Sequence, residues 1–185
     1  IQKLRYGENP HQSSAIYSKN SDLNLTQIHG KQLSYNNYND IFSALTISKS
    51  LPKNKGSVII KHANPCGVSI KDNHIDSFKS ALSCDPISAF GGVASFNFKI
   101  NKNLALELNK IFFEVIIANG FDKNSLKILK QKKNLRLIDA SNFLFNEILK
   151  YNSIDSSMLL QSEDKHLLSK KNFQIVSKKK PSKSQ

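Results

Sequence analysis

Short apolar runs alternate with stretches of helical spacing along most of this 185-residue chain. Residues Ile41, Ala44, Leu45 and Ile47 recur at helical spacing, and Asp40 is placed to cap a helix running to about Ser50. Ser57–Ile60 then reads as a buried strand, Lys61–Gly67 as a loop and Ile75–Ser83 as a helix with Phe78, Ala81 and Leu82 on one face. A strand over Val93–Phe98, a helix over Asn103–Lys110 and a strand over Phe113–Ala118 follow. A helix capped by Asp122 or Asn124 extends to about Gln131, and Leu135–Ile138 is a short strand. Ser157–Gln161 and Phe173–Ser177 are two late strands. Alternation of this kind predicts an α/β layered fold with a largely parallel or mixed sheet flanked by helices. Ahead of the alternation, Ile28–Lys31 reads as a turn and Leu33–Asn37 as a short extended piece.

Composition narrows the class. An apolar content of 39% fits a soluble globular chain, and this length supports a core without staples. The dense apolar patches near Ile111–Ala118 and Ser157–Gln161 are too short to span a bilayer. Cys66 and Cys84 form neither a disulfide framework nor a CxxC unit, which suits a reducing compartment and hence the cytoplasm. An opening on Ile1 rather than Met is read as a cut from something longer. The net charge of +13 invites a nucleic-acid partner. The lysines are scattered among Asn and Ser, however, and aromatic-plus-Arg stacking patterns are absent. A solvated basic surface with no nucleic-acid partner is the expectation, and such a field would also welcome a phosphorylated small substrate. The lysine-rich residues 178–185 have no apolar anchor and read as a linker or frayed tail.

Chemistry-bearing residues cluster in four places. Lys61 and His62 sit side by side at the carboxyl end of a buried strand, a place where acid–base chemistry is found. The bland alternative is a strand end with two polar residues turned to water. Arg5, Tyr6, Glu8, Asn9 and His11 crowd the first segment, which is otherwise a solvated arm. Asp85-Pro86 and Gly91-Gly92 bracket a tight turn where a ligand or another backbone approaches closely. Glu114 is a carboxylate inside an apolar strand, so it faces water, pairs, or binds something. His62 and Cys66 lack the further ligands of a zinc site, because no HxE and no PCxxC is present. No metal is expected. A nucleophilic Cys66, activated by Lys61 and His62, is a further reading, although no acyl-enzyme signature accompanies it. There is no P-loop.

Taken in order, RYGENPHQ (Arg5–Gln12), KQLSYNN (Lys31–Asn37), KHANPCGV (Lys61–Val68), DPISAFGG (Asp85–Gly92), FEVIIA (Phe113–Ala118) and KKNLRLI (Lys132–Ile138) carry a resemblance. From Leu4 to about Pro181 the chain resembles the aminoimidazole carboxamide ribonucleotide (AICAR) transformylases, the formyl-transferring part of bifunctional purine-biosynthesis enzymes. The resemblance implies a zinc-free, cytidine-deaminase-like α/β fold and a homodimer with active sites between subunits. It implies formyl transfer from the co-substrate 10-formyltetrahydrofolate to the 5-amino group of AICAR. Motif by motif it implies that Lys61 and His62 are the catalytic pair, His62 taking the amine proton and Lys61 donating to the formyl oxygen. Arg5 and Tyr6 would bind the nucleotide, Gly91 would contact AICAR through its backbone, Glu114 would be an acidic AICAR ligand, and Asn64 would help position it. It further implies that residues 1–177 are the first half of the transformylase region. The second half would bring another His, an Asn, the folate pocket and a phosphate-binding Arg, leaving this chain inactive alone. The alternatives are a non-catalytic AICAR- or nucleotide-binding module and, behind it, a basic nucleic-acid-binding protein.

Overall fold

In a computed structural model, which describes residues 1–18, 23–144, 149–162, 164 and 174–182, the chain divides into two compact units, Ile1–Leu144 and Phe145–Gln185. The first holds strands β1 (Gln2–Lys3), β2 (Ala15–Ile16) and β3 (Thr26–His29), helix α1 (Tyr35–Ser50) and the hairpin β4 (Gly56–Lys61) and β5 (Asn64–Ile70). Helix α2 (His74–Cys84), β6 (Gly92–Phe96), α3 (Lys102–Asn109), β7 (Phe113–Ala118), α4 (Lys123–Leu129) and β8 (Arg136–Asp139) complete it. Six strands form one sheet in the order β3-β8-β7-β6-β4-β5. β6, β7 and β8 are parallel, while β4 is antiparallel to both β5 and β6, and β3 is antiparallel to β8. The expected α/β fold with a mixed sheet flanked by helices is therefore the one observed.

The continuous apolar runs of β4, β6 and β7 follow from burial on both faces. Alternate residues feed two cores. Ile59, Ala94, Phe96, Ile116 and Leu137 pack with Phe78 and Ala81 of α2, Leu104 and Leu108 of α3 and Leu129 of α4. Val58, Ile60, Val93, Val115, Ile117 and Ile138 pack on the other face with Ile41, Ala44 and Leu45 of α1. The sheet is thus the middle of three layers, with α1 the one helix on one side among the described residues.

Local chemistry departs from the sequence reading at several places. Helix α1 starts six residues earlier than its apolar spacing implies, because Ser34 and not Asp40 is its N-cap. The Ser34 side chain accepts from the Asn37 amide and the Asn37 side chain accepts from the Ser34 amide, a reciprocal capping box. Leu33–Asn37 is therefore cap and first turn rather than an extended piece. Thr26–His29 is an edge strand, and the turn follows it at Gly30, whose φ is 93°. Lys61–Gly67 is not a loop but the tip and returning strand of a hairpin. Asp122 is the N-cap of α4. The N-terminal arm is tied down rather than loose. β1 pairs with β2, Leu4 is buried, and backbone bonds Leu4–Ser14 and Gly7–Gln12 close the segment between them.

In the second unit β9 (Leu149–Ile154) and β10 (Ser157–Ser162) form an antiparallel hairpin whose residues are all exposed, Tyr151, Met158, Leu159 and Leu160 included. The strand expected over Phe173–Ser177 falls partly outside the described residues at Phe173. Residues 174–177 are not strand. No helix among the described residues is long and apolar enough to cross a membrane.

Candidate functional site

Because β4 runs against its parallel neighbours, its carboxyl end lies at the amino ends of β6, β7 and β8. Ile60 pairs with Val93, Gly92 with Phe113 and Val115 with Arg136. One edge of the sheet therefore collects Lys61 from β4, the Phe90–Gly92 turn before β6, Glu114 from β7 and Arg136 from β8. This is the opposite edge from the carboxyl ends of the parallel strands, where open α/β sheets usually bind ligands. The edge reading of Lys61 and His62 stands, but the topology behind it is reversed.

His62 and Ala63 form the two-residue tip between β4 and β5, with Lys61 paired to Asn64. Both have positive φ, 51° and 60°. A tip of this hand suits a hairpin but favours Asn-Gly. For residues with a Cβ it costs roughly 1–2 kcal/mol each. The Asp40 carboxylate, reaching from α1, accepts a 2.7 Å hydrogen bond from the Ala63 amide. Asn64 donates to the His62 carbonyl at 2.9 Å, so it braces the tip and is itself exposed. The Lys61 ammonium donates to the Phe90 carbonyl at 2.8 Å. Gly91, at φ 69°, passes close under it, for a Cβ there would stand 3.0 Å from Lys61 Nζ. The Gly91 amide is itself bound to the Phe112 carbonyl at 2.8 Å.

Glu114 is half-exposed and sits between two partners. Asn37 Nδ2 donates to its Oε2 at 3.2 Å, and Arg136 Nη1 lies 3.8 Å from the same oxygen. Asn37 thus caps α1 with its oxygen and holds Glu114 with its nitrogen. Arg136 is buried, and its Nε has no partner among the described residues. Burial pushes the Arg136 guanidinium down, Glu114 opposes this, and Arg5 and Tyr6 lie close enough to act on it. The Arg5 guanidinium donates to the Tyr6 hydroxyl at 2.7 Å and lies 4.6 Å from the ring centroid. Burial likewise pushes the Asp40 carboxyl up. The Ala63 amide and the charge of His62 pull it back, Glu114 adds to the rise, and Lys61 opposes it. Asp40, His62, Glu8, Asn9, Asn36 and Asn39 line one polar cleft.

All seven residues expected at the site, Arg5, Tyr6, Lys61, His62, Asn64, Gly91 and Glu114, therefore fall along one edge of the first unit. Three more join them that the sequence reading did not place there. Asp40 was read as a helix cap. Asn37 was one polar residue of a motif. Arg136 was one of only two arginines, and an Arg inside an apolar strand beside a strand carrying Glu was the available signal. The thiol of Cys66 does not fit a nucleophile. Burial pushes it up first and Asp85 adds to this, which outweighs the pull of Lys61. Among the described residues no group of three or more His, Cys, Asp or Glu is arranged to hold a metal ion.

Glu114 offsets a buried cation, so Glu114→Gln is expected to destabilise the fold although the side chain is half-exposed. At 3.8 Å and partial exposure the loss should be about 1–2 kcal/mol, below that of a fully buried pair. Urea unfolding of the variant measures it, and a midpoint equal to wild type would mean that Arg136 does not depend on Glu114.

An α/β domain with an ammonium, an imidazole and two carboxylates on one sheet edge, and two guanidiniums beside them, is equipped to move protons next to a bound anion. The chain belongs to a family of bifunctional enzymes. Over residues 1–185 it matches the AICARFT/IMPCHase bienzyme family. It is similar to the bifunctional purine biosynthesis protein PurH of Caldicellulosiruptor saccharolyticus, at 40% identity over 98% of this chain and 36% of that protein. PurH of Aquifex aeolicus is 40% identical with the same coverage, and PurH of Clostridium kluyveri is 39% identical over 100% of this chain and 37% of its own length. The chain spans little more than a third of the length of these curated relatives.

Proposed function

We propose that the chain supplies the AICAR-binding and proton-handling part of a formyl transfer in purine biosynthesis. AICAR is the acceptor and 10-formyltetrahydrofolate the donor. The observation that carries this reading is the meeting of Lys61, His62, Asp40 and Glu114 on one edge, next to Arg5, Tyr6 and Arg136. In the proposed step the 5-amino nitrogen attacks the formyl carbon, and the carbonyl electron pair moves onto oxygen. His62 takes the proton that the amine sheds, at an imidazole nitrogen, the commonest side-chain general base. The Lys61 ammonium, fixed by the Phe90 carbonyl, has donors left for the developing oxyanion. Collapse of the intermediate breaks the bond to N10 of the folate, which leaves with a proton as tetrahydrofolate. Arg5 and Tyr6 would bind the nucleotide's anionic end, Glu114 a donor on the AICAR ring, and Gly91 the substrate through its backbone, with Asn64 holding the tip.

Residues 1–177 are read as the first half of a transformylase region, with 178–185 as linker or frayed tail. The folate pocket would then come from sequence beyond this chain, and the chain would be inactive alone, in a cytoplasmic homodimer when whole. The exposed apolar side chains of the β9–β10 hairpin support an interface there. Isothermal titration with AICAR tests the reading directly. Saturable binding is expected, weakened about tenfold or more by Arg5→Ala because charge-assisted bonds to a phosphate are worth ~1.5–3 kcal/mol. Absence of AICAR binding to the wild-type chain would remove the substrate assignment.

A further inference from the structure

We propose that Asp40 is a positioning residue for His62. Its carboxylate pins the Ala63 amide and so locks the left-handed hairpin tip that presents the imidazole to the polar cleft. Its purpose rests on the formyl-transfer reading, while the pinning itself does not.

Two costs meet here that the fold alone does not require. The tip uses His and Ala, both at positive φ, where Asn-Gly would be relaxed. Strained tips persist where the surroundings over-determine them, and such places are commonly functional. The clamp is a half-buried carboxylate that accepts its hydrogen bond from the Ala63 amide. Ala63 contributes no functional side chain, so holding its amide fixes the geometry of its neighbour. His62 is the neighbour, and it shares the cleft with Asp40.

The placement of Asp40 strengthens the case. Among the described residues helix α1 is the single helix on its side of the sheet, and its first turns tie three separate segments of the site. Asn36 donates to the Glu8 carbonyl at 3.2 Å, Asn37 holds Glu114, and Asp40 holds the tip. The capping box at Ser34 and the apolar anchors Ile41, Ala44 and Leu45 fix that helix end on the sheet. Asp40 therefore transfers the position of a rigid element to an otherwise strained turn.

Nuclear magnetic resonance of the full chain, wild type against Asp40→Ala and Asp40→Asn, tests this. Asp40→Ala is expected to speed hydrogen exchange at the Ala63 amide by roughly tenfold or more and to shift the His62 ring signals. Asp40→Asn keeps an oxygen acceptor and should restore both. A purely structural role would instead lower the melting temperature without changing these two signatures. Should Asp40→Ala not fold, Asp40→Leu, which keeps the shape, takes its place. Wild-type exchange at Ala63 and unmoved His62 signals in the folded apolar variant overturn the proposal. Adding AICAR to the same wild-type sample separates the two ideas. His62 signals that ignore AICAR count against the substrate assignment, while the exchange data still judge Asp40.

Discussion

Replacing His62 by alanine, in this chain joined to the remaining transformylase sequence of a relative, should lower single-turnover formyl transfer by about 10²- to 10⁴-fold at saturating AICAR. The Michaelis constant for AICAR should change far less, because the lost interaction is one that grows in the transition state. Lys61→Ala should fall in the same range, with an added effect. Its ammonium also ties β4 to the Phe90 carbonyl, and Gly91 lies directly beneath. Removing it loosens a turn that is proposed to touch substrate, so AICAR affinity should drop as well. The double variant should be little worse than either single one, since residues acting on one proton-transfer event are strongly non-additive. Wild-type-like turnover in either single variant would sink the assigned roles. Full additivity of the two losses would mean that the pair does not act as a unit.

What the sequence allowed and what it hid have separate physical causes. Strands β4, β6 and β7 were legible because both faces are buried, so their residues are mostly apolar, with Ser57, Ser95 and Glu114 among the polar exceptions. Phe113–Ala118 was read with the bounds observed. The start of α1 was hidden because a capping box built from Ser34 and Asn37 looks like a polar turn, and its apolar residues begin only at Ile41. The hairpin tip was hidden because His62-Ala63 is not turn chemistry and Pro65 follows it at once. The Asp40 carboxylate that bonds the Ala63 amide comes from 23 residues earlier in the chain, so the tip's support is not local. Arg136 was hidden for a related reason. Its meaning depends on Glu114 in the neighbouring strand and on Arg5 far upstream, and long-range pairings leave little local trace. The motif order proposed candidate site residues, but not the reversal of β4 that places Lys61 at the amino ends of the parallel strands.

Gly67 shows how closely that site depends on packing, and Gly67→Ala is expected to be among the most destabilising single methyl additions in the chain. As part of Pro65-Cys66-Gly67 it reads as a permissive loop residue, yet it is not among the glycines with positive φ. It is there for space. It lies buried in β5 opposite Ile59, and α2 crosses directly over it. A Cβ would stand inside contact distance of the Ala81 carbonyl oxygen, 2.8 Å from the carbonyl carbon and 3.1 Å from Cys84 Cβ. The nearest obstacle is helix backbone, so no side-chain rotation relieves it. Helix α2 must lift, and Phe78 and Ala81, both 1% exposed, lose their packing on the sheet. Overpacking of this kind costs typically ~1–3 kcal/mol and occasionally more. With backbone on both sides, the top of that range or beyond is expected, read as a lowered urea midpoint. Ala81→Gly should not rescue it, because the clash is with the carbonyl and not the methyl. The same hairpin carries His62 at its tip, so the folded fraction of Gly67→Ala should also show altered His62 ring signals. A variant within about 0.5 kcal/mol of wild type, the usual span of neutral surface substitutions, would mean that α2 stands farther from β5 than the structure has it.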